Sequence, residues 1–178
     1  ASSLAGTQEL GALNVIYDDN RISIEGDTHN AFTEDVSARY RAYGWHVIDV
    51  ATAANGSVDI KALDAAMIAA KKETTKPSLI RLKSVIAWPA PKAQGTASSH
   101  GSALGDEEVA ATKLALGLNP EESFAMPADV LAHARLVKDR AAKVRKVWDA
   151  KFETWQSTNP ERSKLLERLR TKALPAGW

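Results

Sequence analysis

Cysteine is absent from the 178 residues. That absence removes a disulfide framework, thiolate catalysis and thiolate metal sites. An excess of either charge is missing too: 23 basic residues face 22 acidic ones, a formal net charge of +1. Such a balance gives no global footprint for nucleic acid or for an anionic membrane surface. No apolar run approaches the ~18–20 residues that span a bilayer. The opening "ASSLAGTQELGAL" is neither a signal peptide nor a basic targeting arm. What remains is ordinary for a globular chain, with 44% hydrophobic and 25% charged residues. The length suits one domain with a real core, and a cytoplasmic setting is the expectation.

Leu4, Ala5, Gln8 and Leu10, followed by Gly11 as a stop, read as the middle of a helix, so the chain is expected to begin inside a domain. Residues 14–19, "NVIYDD", carry a short continuous apolar run, the pattern of a strand buried on both faces. Thr33 is the predicted N-cap of a helix through "DVSARYRAY" that ends at Gly44. Residues 45–50, "WHVIDV", form a second predicted strand. A second helix follows, capped by Ser57 or Asp59, with Ile60, Leu63 and Met67 at helical spacing. Residues 78–86, "SLIRLKSVI", form the third strand. Strand, helix, strand, helix, strand implies a parallel sheet with helices on its faces, and ligands bind beyond the carboxyl ends of such strands.

Residues 87–105 are rich in Pro, Gly, Ala and Ser and read as a long loop with one histidine, His100. Asp106 is expected to cap a short helix that ends at Gly117. From Pro127 a long helix carries a heptad stripe of Val130, Ala134, Val137, Ala141, Val144, Trp148 and Trp155. Asn159 and Pro160 signal the start of a last helix. His46 reads as a strand residue, His133 as a surface residue, and the basic run 138–151 as a solvated helix face.

Asp18, Asp19 and Asn20 close the first strand. Short polar side chains make turns by bonding to nearby backbone. The same groups suit a hard divalent cation: the Asn20 amide oxygen and the Ile22 carbonyl can face one centre across a tight turn, with further oxygens from elsewhere. The local pattern leaves both readings open.

The longer strings narrow the choice. "VIYDDNRISIEGDT", "FTEDVSARYRAYGWHVIDV", "KPSLIRLKSVI" and "SSHGSALGDEEV" together closely resemble the thiamine-diphosphate-binding domain of transketolases. The resemblance keeps order and spacing over nearly all of residues 1–170. It implies an α/β fold, a parallel sheet with helices on both faces, with part of the cofactor domain in residues 1–120. Residues 121–178 would form a helical extension towards an absent pyrimidine-binding domain.

By that resemblance the cofactors are thiamine diphosphate and Mg²⁺ or Ca²⁺. Asn20 would be the amide ligand of the metal and Ile22 its carbonyl ligand. Ile24 and Ile86 would lie against the thiazolium ring. His100 would reach the diphosphate and the reacting sugar. The family's Gly-Asp-Gly segment, with the carboxylate ligand, would fall before residue 1. The chain departs from the pattern at Ala87, where the family usually has Gly, and in "HGSALG", where it has His-Gly-Ala-Pro-Leu.

The implied activity is transfer of a two-carbon ketol unit between sugar phosphates, in the pentose phosphate pathway. The implied partners are sugar-phosphate substrates and the remainder of the chain or a homodimer partner, with no nucleic acid and no membrane. The segment alone is expected to have no turnover. Other readings are a deoxyxylulose-phosphate or dihydroxyacetone synthase, and a non-catalytic subunit that completes a split enzyme through the heptad stripe. "AYGWHV" and "HGSALG" favour transketolase.

Overall fold

The first unit opens with α1 (Ser2–Thr7), β1 (Asn14–Asp19) and a small ribbon of β2 (Ile22–Ser23) and β3 (Gly26–Asp27). It continues through α2 (Val36–Ala42), β4 (His46–Val50), α3 (Ile60–Lys72), β5 (Ser78–Lys83) and α4 (Asp106–Ala115). The computed structural model describes residues 1–175 and 177–178. It divides into two compact units, Ala1–Ser123 and Phe124–Trp178.

The sheet is parallel with strand order β1-β5-β4, so the last strand in sequence is central in space. Ile16 and Ile48 both lie opposite Ile80 in the register. Successive β5 residues face opposite sides. Ile80 packs with Val50, Ala66 and Ala70, beneath α3. Leu79 packs with Ala5 and Trp45 on the other side, where Val36, Tyr40 and Tyr43 join from α2 and its end. Helices therefore cover both faces, as the strand–helix alternation implies.

The structure changes several details. β1 is not buried on both faces: it is an outer strand, and Asn14, Ile16 and Asp18 are exposed. A continuous apolar run cannot say which strand lies at the border. β5 stops at Lys83 rather than Ile86, because its neighbours have ended: Lys83 pairs with Asp19, and Leu82 with Val50. Asp35, not Thr33, caps α2, accepting the Ala38 N–H at 3.0 Å. Asp59 rather than Ser57 caps α3, accepting the Ala62 N–H at 2.9 Å. Asp106 is the first residue of α4 and Gly105 its cap, with no side-chain bond. The long loop is not structureless, since Ala97–His100 form a 3₁₀ turn.

Gly6 is where side-chain absence matters most for packing. A Cβ there would sit 1.8 Å from the Tyr43 carbonyl oxygen. Only hydrogen lets α1 approach the turn that feeds β4 so closely.

The second unit consists of α5 (Ala128–Thr158) and α6 (Pro160–Thr171). Phe152 stacks between Trp148 and Trp155, with ring centroids 4.8 and 5.5 Å apart. The Arg170 guanidinium lies 5.4 Å from the Phe152 ring. Within the stripe, Trp155 is half-buried, while Val130, Val137, Val144 and Trp148 are exposed. Among the described residues no helix is long and apolar enough to cross a membrane.

Candidate functional site

The carboxyl ends of β1 and β5 are the place to look in a parallel sheet. β1 ends in Asp19, and the chain turns at once. Arg21 takes a left-handed conformation, φ 60°. The Asn20 Oδ1 accepts the Ile22 N–H at 2.9 Å, which closes an Asx turn. Thr28 N–H donates to the Arg21 carbonyl at 2.9 Å, and Ser23 Oγ to the Gly26 carbonyl at 3.0 Å. The ribbon is thus fixed locally, by its own backbone and by the short Asn20 and Ser23 side chains. Asn20 and Ile22 are half-buried, whereas Ile24, at the ribbon tip, is 70% exposed.

β1 is anchored just before that turn. Arg81 on β5 donates from Nε to Asp19 at 2.8 Å and places a second nitrogen 2.6 Å from the same oxygen. The guanidinium also reaches Asp49 on β4 at 3.7 Å. Asp49 accepts Ser37 Oγ at 2.6 Å and Arg41 at 2.9 Å. Burial pushes the Asp49 carboxyl up, but the Ser37 and Arg41 bonds outweigh it and hold the group below the usual carboxylate range. Burial likewise opposes the Arg81 charge, and Asp19 more than restores it. Ser84 and Asp18 add a hydroxyl–carboxylate bond. Sequence reasoning missed this tie. The available signal was a lone Arg inside the apolar run "SLIRL", since a charge there needs a partner.

Ile86 is half-buried, and its carbonyl accepts the Gly95 N–H at 2.9 Å. Ala87 follows with φ 57°, the left-handed region. The loop therefore keeps a glycine-type conformation although the residue is alanine. Ala87→Gly is expected to stabilise the first unit by about 1 kcal/mol, because a Cβ is disfavoured in that region. A urea denaturation midpoint that does not rise would contradict this. Trp88 donates from Nε1 to the Asn55 carbonyl at 3.1 Å, and the Trp88–Pro89 peptide bond is cis.

His100 ends the 3₁₀ turn and is exposed. That turn packs against β2. The structure thus brings the Ile22 strand and the His100 turn together, although about 75 residues separate them in sequence. The other histidines lie elsewhere in role: His46 bonds Ser78 through Nδ1 at 3.0 Å, and His29 bonds Asp27 at 3.1 Å.

Among the described residues, no group of three or more His, Asp and Glu side chains is arranged to hold a metal. The Asn20 turn offers an amide oxygen and a backbone carbonyl, the hard donors that Mg²⁺ and Ca²⁺ take. Two protein donors fit a cation whose other ligands come from water, phosphate oxygens and a further carboxylate. An exposed imidazole alongside can donate to an anion.

Residues 1–175 match the family described as "Transketolase, thiamine diphosphate binding domain". The transketolase of Mycobacterium leprae is 47% identical over 178 residues, all of this chain and 25% of that protein. The transketolase of Scheffersomyces stipitis is 43% identical, again over the whole chain and 26% of the relative. A crystal structure of Pichia stipitis transketolase in complex with sedoheptulose-7-phosphate superposes with a TM-score of 0.87 and 43% identity, covering 99% of this chain and 26% of that one. Leishmania mexicana transketolase matches with a TM-score of 0.87 at 34% identity. The chain therefore spans about a quarter of the length of the relatives it matches. With strand order, turn chemistry and whole-chain likeness in agreement, the chain belongs to the transketolase family, in its thiamine-diphosphate-binding domain.

Proposed function

We propose that this chain supplies the metal- and diphosphate-gripping part of a transketolase. In this reading residues 1–120 are part of the cofactor domain, and 121–178 lead towards the pyrimidine-binding domain. The observation that supports it best is the seating of the Ala97–His100 turn on β2, beside the Asn20 turn at the carboxyl end of β1.

Asn20 and the Ile22 carbonyl would hold Mg²⁺ or Ca²⁺, and the metal would neutralise the diphosphate. Ile24 and Ile86 would present apolar surface to the thiazolium. Thiamine diphosphate, when bound, supplies a carbon nucleophile and an electron sink for cleaving a ketose. The protein's share is placement and electrostatics. His100 would donate a hydrogen bond to the diphosphate or to the substrate oxygen on which negative charge develops. The substrates would be a ketose phosphate as donor and an aldose phosphate as acceptor. One relative, Pichia stipitis transketolase, crystallised as itself or as mutants with xylulose-5-phosphate, sedoheptulose-7-phosphate and fructose-6-phosphate, is the basis for that class. The remaining metal carboxylate, the activating acid and the substrate-phosphate grip would come from the rest of a full-length chain or from a homodimer partner.

A coupled assay with ketose and aldose phosphates tests this. The 178-residue chain alone should show no turnover. A full-length transketolase carrying this segment should transfer the two-carbon unit in a manner dependent on thiamine diphosphate and a divalent ion. Asn20→Ala in that protein should weaken metal-dependent cofactor binding by at least ~10–100-fold, the range typical even of outer-shell losses. Turnover by the isolated chain, or unaltered metal dependence in Asn20→Ala, would overturn the reading.

A further inference from the structure

Glu108 is a buried acid with an unusual use. It lies in the first turn of α4, where the third helical residue commonly reaches back to its own cap. Here it does not. The residue is 8% exposed, and its Oε1 accepts two backbone N–H groups from another segment, Lys92 at 2.6 Å and Ala93 at 2.8 Å. Lys and Arg side chains are not within ion-pair distance of it among the described residues. The two amides are what compensate this carboxylate.

The bonds continue from there towards His100. The carbonyl of Ala93, on the peptide next to the gripped amide, accepts Thr96 Oγ1 at 2.7 Å and Ser99 Oγ at 2.5 Å. Ser99 N–H donates to the Thr96 carbonyl at 3.2 Å, and Thr96 Oγ1 also meets Ser98 Oγ at 2.8 Å. These hydroxyls shape the 3₁₀ turn whose last residue is His100 and whose other side rests on β2. Upstream, the Gly95 amide is fixed to Ile86. An acid on α4 thus sets the 92–93 peptides, those peptides set two hydroxyls, and the hydroxyls set the histidine.

We propose that Glu108 is a positioning residue: through Ala93, Thr96 and Ser99 it holds the His100 turn against the Asn20–Ile22 ribbon. The proposal rests on the reading of His100 as a substrate- or diphosphate-facing group, and its test separates the two.

The first arm uses the chain as it is. In amide hydrogen exchange, Glu108→Ala should make Lys92, Ala93 and the 96–100 turn exchange at least about tenfold faster, with Leu79 and Ile80 unchanged. Nuclear Overhauser contacts between the 97–100 turn and Ile22–Ser23 should weaken. Glu108→Gln keeps an acceptor oxygen and should restore most of the protection. Unchanged exchange in Glu108→Ala, uniform acceleration that includes the β5 amides, or a Gln variant no better than Ala would each overturn the proposal.

The second arm uses a full-length transketolase carrying this segment. Glu108→Ala should lower kcat/KM on the order of 10–100-fold, as a small misplacement of a reacting group does. Combined with His100→Ala it should add nothing further, because it acts through that residue. Full additivity would overturn the proposal. If His100→Ala alone is harmless, the functional reading of His100 fails and the proposal falls with it. If only the exchange result fails, the functional reading stands.

Discussion

Arg81→Met should cost the first unit about 2–4 kcal/mol of stability, read as a lower urea midpoint with an unchanged slope. Asp19 is 7% exposed and loses both guanidinium contacts, 2.8 and 2.6 Å, in that variant. A carboxylate left in place without its cation carries its desolvation uncompensated. The side chain of Arg81 keeps 22% of its exposure, so the loss should fall somewhat short of the ~3–5 kcal/mol seen when a fully buried pair is broken. The companion variant is decisive. Asp19→Asn combined with Arg81→Met removes both charges and should recover part of the loss. A double variant as unstable as the sum of the singles would show that packing, not charge, is what Arg81 supplies. Acid should act on the same network. The Asp49 carboxyl is held below its usual range in the folded state, so its contribution is present above the ordinary carboxylate range. That contribution fades as pH falls through the depressed value.

Leu79→Ala should be at least as damaging, about 3–5 kcal/mol. Leu79 is 1% exposed on the central strand and fills the space between Ala5 and Trp45. The size of the loss depends on how far that space can close. β1 and β4 flank it and are bonded along its length, so neither can move inwards. Trp45 is tied by its Nε1 to the Ser2 carbonyl at 2.9 Å, and its ring meets Tyr40 edge-on at 5.0 Å. A rigid wall leaves a cavity rather than a collapse. Near-UV circular dichroism from Trp45 should broaden in parallel with the lower midpoint. A loss below about 1 kcal/mol would mean that α1 settles into the gap.

Much of the fold was legible because its signals are local. β1 over 14–19 and α3 from Asp59 onward are given by an apolar run and by a spaced apolar face with a cap. The misplaced details have physical causes. Thr33 and Asp35 are both competent caps two residues apart, and sequence does not rank them; the Asp35 carboxylate wins. Ser84–Ile86 continue the apolar pattern of β5, yet a strand ends where its partners end.

The candidate site divides in the same way. The Asn20–Ile22 turn is visible in residue types, because an Asx turn is made within three residues. The Asp19–Arg81 and Glu108–Ala93 ties are not, because their partners lie 62 and 15 residues apart and only the folded topology brings them together. Ile24 illustrates another limit. Its type suits contact with an apolar ring, but the described residues leave it at the ribbon tip, largely in solvent.

The central place of Ser78–Lys83 has a consequence for how the molecule is made. Among the described residues neither outer strand bonds the other; each pairs with β5, the last of the three strands to be synthesised. A ribosome releasing this polypeptide must deliver Val15, Ile16, Val47 and Ile48 well before Ser78–Lys83 exists for them to pair with. Assembly then closes loops of roughly 30 and 60 residues at once, a slow and cooperative event in which the nascent apolar segments depend on shielding until the keystone arrives.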